Sequence, residues 1–286
     1  MDRTKQRRDA RAWRRCVTRG LAVAVVLSAA PFRAEAQAPA AAPVAVASEP
    51  DPMIEPAAIE VVKRMVKTLA GAQDMSYHYE ESYDALQEDG EMLEFGRHGA
   101  TTIRRPDGVR GEQWSRDGRH VEYAYDGKTV TVFDETHNAY ASTPRTGDLD
   151  SLTDFLRDDI GFKMPLADLF GSDLGPMLIE NGVAARVIGR EKIGDVEVDH
   201  VAIRLRQGAD VQLWIRTGEI AVPERIVINY ATADGRPQFR ATLSEWDLSP
   251  RVPDRMFRLD PPKGAKMVPF MAPRRAAAAA AQEGAQ

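Results

Sequence analysis

A single cysteine in 286 residues, Cys16, excludes most thiol chemistry at the outset. It precedes the apolar run at residues 21–30 instead of closing it, so it is badly placed for lipid attachment, and it falls in a segment expected to be removed. The remaining chain then has no disulfide, no cysteine nucleophile and no cysteine metal site. Histidines number five and are scattered singly. His78 and Glu80 share a strand face, but two ligands without an identified third make a poor metal site, and both read as surface residues. Gly-x-Ser-x-Gly, Gly-x-Gly-x-x-Gly, the phosphate-binding loop and His-Glu-x-x-His are all missing. The expectation is therefore no catalytic residue, no metal, no cofactor and no enzymatic activity. Beyond the N-terminal run nothing approaches the ~20 apolar residues that span a bilayer, so the mature chain is expected to have no transmembrane segment.

What is present begins with a targeting pattern. Residues 1–36 are basic from Arg3 to Arg19, apolar over 21–30, and end in Ala34-Glu35-Ala36, the small-x-small pattern of a signal peptide cleaved near Ala36. Arg14-Arg15 leaves general and twin-arginine export both open. Removing this leader takes away nine Lys/Arg and three Asp/Glu and leaves 29 basic against 40 acidic residues, a formal charge of −11. A surface of that sign repels polyanions, so nucleic acid is not expected as a partner. An exported chain without an anchor points to the bacterial periplasm or the outside, with the periplasm as the expected location.

Residues 37–55 are Ala/Pro-rich without periodicity and read as a flexible tether, while the Ala/Gln-rich residues 271–286 read as a disordered tail. Between them, residues 56–270 form one continuous pattern. Ile59, Val62, Met65, Val66 and Leu69 recur at helical spacing between Pro56 and Gly71, which predicts one amphipathic helix. Long strands follow over 75–86 and 91–105, then a meander over 103–133 punctuated by Pro106-Asp107-Gly108, Asp117-Gly118 and Asp126-Gly127. There Val121, Tyr123 and Tyr125, then Val130 and Val132, alternate with polar residues or Ala124, predicting one apolar and one wet face. Short helices occupy 149–179, and strands return over 184–193, 196–206, 211–216, 224–230 and 238–248. Ten or so antiparallel strands must curl or close, which predicts a mainly β, α+β domain: one curved antiparallel sheet forming an unclosed half-barrel, with an N-terminal helix and a helical lid over its concave face.

Arg104-Arg105-Pro106, Asp126-Gly127-Lys128-Thr129 and Phe257-Arg258-Leu259-Asp260-Pro261-Pro262-Lys263-Gly264, in this order after a helix and two long strands, resemble the periplasmic lipoprotein-carrier family. Fuller similarity, through Met164-Pro165-Leu166-Ala167-Asp168-Leu169-Phe170 and Trp246-Asp247-Leu248-Ser249-Pro250, is to a bacterial family of predicted periplasmic proteins of unknown function, and it covers roughly residues 56–270. The carrier resemblance implies an unclosed β-barrel capped by helices, whose apolar cavity shields acyl chains. It also implies that Arg105, just before the first meander proline, holds the helical lid closed. Where the carriers place an aromatic in the cavity three residues after that proline, this chain has Val109.

The candidate cavity or lid residues are Val109, Phe155, Leu156, Phe162, Met164, Leu169, Phe170 and Met177. Ordinary packing of helices on a sheet gives the same composition; adaptable methionines and breaks at Gly161, Pro165, Gly171 and Pro176 fit a lid over variable apolar partners. The carboxylates Glu80, Glu81, Asp84, Glu88, Asp89, Glu91 and Glu94 read as a solvated hairpin. Together these readings make the chain a periplasmic, non-enzymatic binding or carrier protein for a lipid or an acylated, lipoprotein-like ligand held in an apolar cavity. Envelope proteins are expected as further partners. The alternative is a periplasmic protein-interaction module, such as an envelope-stress or sigma-factor regulator, since such regulators can share the half-barrel fold. A narrow cavity with a polar groove favours the regulator, and a deep apolar cavity above about 300 Å³ favours the carrier.

Overall fold

The computed structural model describes residues 54–160 and 166–270. The expected leader, its cleavage near Ala36, the tail at 271–286, and Phe162, Met164, Gly161 and Pro165 lie outside the described residues.

Helix α1, Pro56–Gly71, has proline in its first turn and an interior free of glycine, and it buries Ala58, Val62, Met65 and Leu69 at steps of four, three and four. That stripe packs against β7 (Gly182–Ile193), β8 (Val196–Leu205) and β9 (Ala209–Arg216). Full burial of such aliphatic side chains contributes about 1.5–3 kcal/mol each, so packing, not propensity, holds the helix. Arg64 ties it to the buried Asp199 of β8 at 2.9 Å.

The remaining strands are β1 (Asp74–Leu86), β2 (Met92–Arg104), β3 (Gly108–Ser115), β4 (His120–Asp126), β5 (Thr129–Asp134), β6 (Ala139–Pro144), β10 (Pro223–Tyr230), β11 (Gln238–Asp247) and the two-residue β12 (Lys266–Met267). They form one 12-stranded sheet in the order β12-β6-β5-β4-β3-β2-β1-β11-β10-β9-β8-β7. Among the described strands only the β12–β6 pair is parallel; β7 and β12 lie at opposite ends, so the sheet is unclosed. Two local meanders thus meet at one seam, where β1 pairs with β11. Asp-Gly turns work as expected in the first meander. Gly118, at φ 89°, donates to the Ser115 carbonyl while Asp117 accepts from Arg119, a turn that a side chain at 118 would strain.

Three departures from expectation concern the course of the chain and the outer face of the sheet. Ile54 and Glu55, expected in the tether, run along β7: Glu55 donates to the Ala185 carbonyl at 2.8 Å and its carboxylate accepts from the Val187 amide at 2.9 Å, covering an edge that would otherwise present unpaired groups. The face expected to be wet in the meander is partly closed, with Ala124, Thr131 and Phe133 buried and the Thr131 hydroxyl paired with Ser142 at 2.9 Å. Finally, residues 253–270 wrap the molecule. Phe257 is buried over Gly108 on that outer face, Arg258 pairs with Asp126 at 3.2 Å, β12 follows β6 along the sheet edge, and Phe270 ends against Phe155 on the inner face.

Candidate functional site

Strand register determines what the inner face presents. Across β7 to β11 it is apolar: Ala185, Val201, Ile203, Val211, Leu213, Ile226, Phe239, Ala241 and Leu243 are all buried. Across β1 to β4 the apolar pattern is interrupted by one polar row. Tyr77, Tyr79 and Glu81 alternate inward on β1, opposite Thr101, Gly99 and Arg97 of β2. Glu81 is 3% exposed and ion-paired with its cross-strand partner Arg97. Next to this pair the Tyr123 and Thr101 hydroxyls meet at 2.8 Å, and Tyr79 also bonds Tyr123. Glycine at 99 and 111 makes room, because a Cβ at either position would collide with the Tyr79 or Tyr123 side chain. Burial pushes the Glu81 carboxyl above the usual carboxylate range, partly opposed by the charge of Arg97. Burial likewise raises the Tyr77 and Tyr79 hydroxyls, which stay neutral hydrogen-bonding groups.

Over this face lies the segment between the two meanders. Its helix α2, Leu149–Asp154, is capped by Asp148, whose carboxylate accepts from the Ser151 amide at 2.9 Å. Its other described residues include a π-helical turn at Phe155–Asp159, a 3-10 turn at Ala167–Leu169 and a second π-helical turn at Pro176–Glu180. Pro176 opens a turn and does not merely interrupt a helix. The segment is tied down at its start, where Leu149 donates to the Pro106 carbonyl at 2.9 Å and Tyr125 to that of Gly147 at 2.8 Å. Arg105 reaches across to both layers: its guanidinium donates to the Phe170 carbonyl at 2.8 Å and to the Leu69 carbonyl, near the end of α1, at 3.4 Å. Such carbonyls at the ends of helices and turns lack intrahelical partners, which is why a multi-donor side chain fits there.

Between sheet and segment, two cavities are bounded by the described residues. The larger, about 580 Å³, lies over β2 to β5 and is lined by Val109, Val121, Tyr123, Tyr125, Val130 and Val132 below and by Leu152, Leu156, Ile160, Phe170 and Phe270 above. The smaller, about 460 Å³, lies over β8 to β10 and is closed by Met65, Leu156, Leu169, Leu174, Met177 and Leu178. Leu156, Thr153 and Ala167 border both. At the mouth of the larger cavity Tyr83 and Phe95 stack at 5.9 Å, both more than a third exposed.

Of the residues singled out in the sequence, Val109 and Phe170 line the larger cavity, Leu169 and Met177 the smaller, and Leu156 both. Phe155 lines neither; it packs edge-on to Phe270 at 6.2 Å beneath the Arg145 guanidinium. His78 and Glu80 are exposed on the outer face. The solvated-hairpin expectation fails at Glu81, because it occupies the same face as Tyr77, Tyr79 and Tyr83 while its neighbours Glu80 and Ser82 do not. Reading the period of two through Tyr77-x-Tyr79-x-Glu81-x-Tyr83 was the available signal.

A second ionisable group sits in the segment itself. Burial and the neighbouring Asp173 push the Asp168 carboxyl up to about 6, against the pull of Arg157. A folded-state value above the ordinary carboxylate value near 3.9 means that the segment is favoured below the lower value and loses that contribution as pH rises through the higher one. Hydrogen exchange in residues 166–178, corrected for its intrinsic pH dependence, should show stronger protection near pH 5 than near pH 7.5. Asp168→Asn should flatten the difference; an unchanged profile in that variant would assign it to another group.

Solved structures similar to the chain include the lipoprotein LppX of Mycobacterium tuberculosis, 13% identical, covering 67% of this chain and 96% of that one with a TM-score of 0.41. A LolA superfamily protein of Nitrosomonas europaea is 10% identical, with 71% and 97% covered and a TM-score of 0.33. The MucA/MucB complex of Pseudomonas aeruginosa gives 13% identity, 70% and 60% coverage and a TM-score of 0.38. No curated protein matches the sequence. Residues 58–271 match the family described as predicted periplasmic protein (DUF2092), and the chain belongs to that family.

Proposed function

We propose that this chain is a non-enzymatic periplasmic binding or carrier protein for a ligand bearing an acyl chain, held between the sheet and the segment at 149–179. One observation carries the reading: two apolar cavities of about 460 and 580 Å³ under a layer built of short turns. Protein interiors are close-packed, with few voids larger than a water molecule, so ordinary core packing does not account for spaces of this size. They fall in the range of ligand pockets, and they exceed what an interaction module with a shallow polar groove needs. Leu156 and Met177 supply flexible walls that suit chains of variable shape. The family description supports the compartment.

The test uses N-phenyl-1-naphthylamine, a dye without a charged head that fluoresces in apolar surroundings. Saturable binding is the expected result. Val132→Trp, a half-buried position on the larger cavity wall, should weaken it at least ~10-fold while the melting temperature moves little, since it fills space instead of opening it. Absence of dye binding by the parent protein overturns the reading; so does undiminished binding in the variant together with failure to detect lipid by native mass spectrometry of protein purified from its own periplasm.

A further inference from the structure

The polar row on the inner wall has no role in merely shielding an acyl chain. A buried ion pair is weak support for stability, since well-packed apolar residues in its place are often neutral or better. Here the pair stands where a ligand would lie: Arg97, Gln113 and Tyr123 line both the 580 Å³ cavity and the small recess behind it, and that recess is floored by Glu81, Tyr79 and Thr101. The row is therefore continuous from the cavity to the buried carboxylate.

We infer that this row reads the polar group of the bound ligand, and that the group is neutral and able both to donate and to accept hydrogen bonds: an amide or hydroxyl next to an acyl chain, not a carboxylate. The inference rests on the acyl-ligand reading above and names the ligand class within it. Its basis is charge balance. Glu81 already faces Arg97 directly across the strands, and the two other described arginines that line the cavity, Arg116 and Arg119, are paired with Glu94 and Asp134. A ligand carboxylate would therefore bring a further negative charge to guanidinium groups already matched by carboxylates, in a poorly solvated site where it cannot ionise cheaply. A neutral donor–acceptor group leaves the pair intact. It can accept from the guanidinium or the Gln113 amide and donate to a carboxylate or phenol oxygen, and hydrogen bonds to charged partners are the stronger kind. The hydroxyl chain Tyr79–Tyr123–Thr101 extends the same bifunctional surface.

The experiment compares three ligands sharing a dodecanoyl chain: dodecanoic acid, dodecanamide and the monoglyceride of dodecanoic acid. Each displaces N-phenyl-1-naphthylamine from the full mature chain near pH 8, where the free acid is ionised. The parent should favour the amide and the glyceride over the acid by roughly tenfold or more, relative to the Glu81→Gln/Arg97→Gln double variant, which exchanges the charged pair for a neutral hydrogen-bonding one. Glu81→Gln alone removes the competing charge and should raise affinity for the acid, narrowing or reversing the order. If Glu81→Gln does not fold, as judged by its melting curve, the loss of discrimination in the double variant decides. Equal affinity for acid and amide in the parent, or an order unchanged in the variants, overturns the inference. Dye binding that none of the three ligands displaces also overturns it, while leaving the acyl-ligand reading to the Val132→Trp test. If the dye itself does not bind, both fall.

Discussion

Arg97→Met should destabilise the protein by about 3–5 kcal/mol near pH 8 and by clearly less near pH 5. The substitution keeps much of the aliphatic volume and removes the only cation that the register places directly opposite Glu81 among the described residues. A carboxylate with 3% of its surface exposed is then left ionised without its partner, which is the expensive way to break a buried pair. The carboxyl can escape by taking up a proton. Burial already raises its pKa in the parent, and losing Arg97 raises it further, because the cation was the main influence holding it down. A folded-state value above the unfolded one gives a contribution that is present at low pH and lost as pH rises through the folded value, so the penalty must grow from pH 5 to pH 8. Urea titrations at the two values measure it. Glu81→Gln/Arg97→Met should recover most of the loss, since no buried charge remains. A deficit under ~1 kcal/mol, or one equal at both pH values, would mean that the pair is effectively hydrated.

Arg105→Leu should leave the sheet intact and loosen the segment above it. The guanidinium is the bridge between the Phe170 carbonyl and the end of α1, and each hydrogen bond to a charged group contributes about 1.5–3 kcal/mol. Losing that bridge predicts roughly 10-fold to 100-fold faster hydrogen exchange at 166–178 and a comparable rise in the rate of dye release. Burial disfavours the charge of Arg105 while Asp150 favours it, so leucine also removes a desolvation cost; the net effect on global stability should be smaller than the effect on the segment. Arg104→Leu is the matched comparison. Arg104 points to the opposite face, where it pairs with Asp254 at 2.6 Å and lies over the Phe257 ring at 4.3 Å. It should disturb the C-terminal wrap and not the segment. Equal protection and release in both variants would reduce Arg105 to a turn-flanking charge.

The difference between these two arginines also shows where sequence reading succeeds. The place of Arg105 at a strand end was legible because Pro106 and the Asp-Gly turns mark it, while the lid-holding role that the resemblance to lipoprotein carriers implied is what the Arg105→Leu comparison tests. Strand boundaries were legible for the same reason: alternation and turn residues are local signals, and β8, β10 and β11 fall within a residue or so of their expected limits. Glu81 was not found, although the alternation that buries it is equally local. Seven carboxylates between residues 80 and 94 read as solvent-facing, and composition over a window conceals the parity of one position. The wrap at 253–270 escaped for a different reason. It has no period to detect; its placement depends on Phe257 and Phe270 finding opposite faces of a sheet assembled from distant strands. The cavities belong to the same class, since an empty volume is a property of how layers meet and has no residue pattern of its own.

The seam between β1 and β11 has a consequence for how the chain reaches this state. Every other antiparallel pair joins neighbours in sequence, so each hairpin can form as soon as its turn does, whereas the seam must bring residues 76–83 against residues 239–247. Closing so long a loop is entropically unfavourable until both meanders exist, which makes docking of the two halves the slow step of folding. Because the chain is threaded out N-terminus first, whether from the ribosome or across a membrane, the first meander emerges with β1 as an open edge and waits for the last long strand to appear. During that interval its aromatic and apolar inner face is uncovered beside an unpaired strand, the combination most prone to self-association. A chaperone that shields emerging chains would therefore be needed most between arrival of β6 and arrival of β11, and truncations ending in that window should aggregate more than the full-length chain.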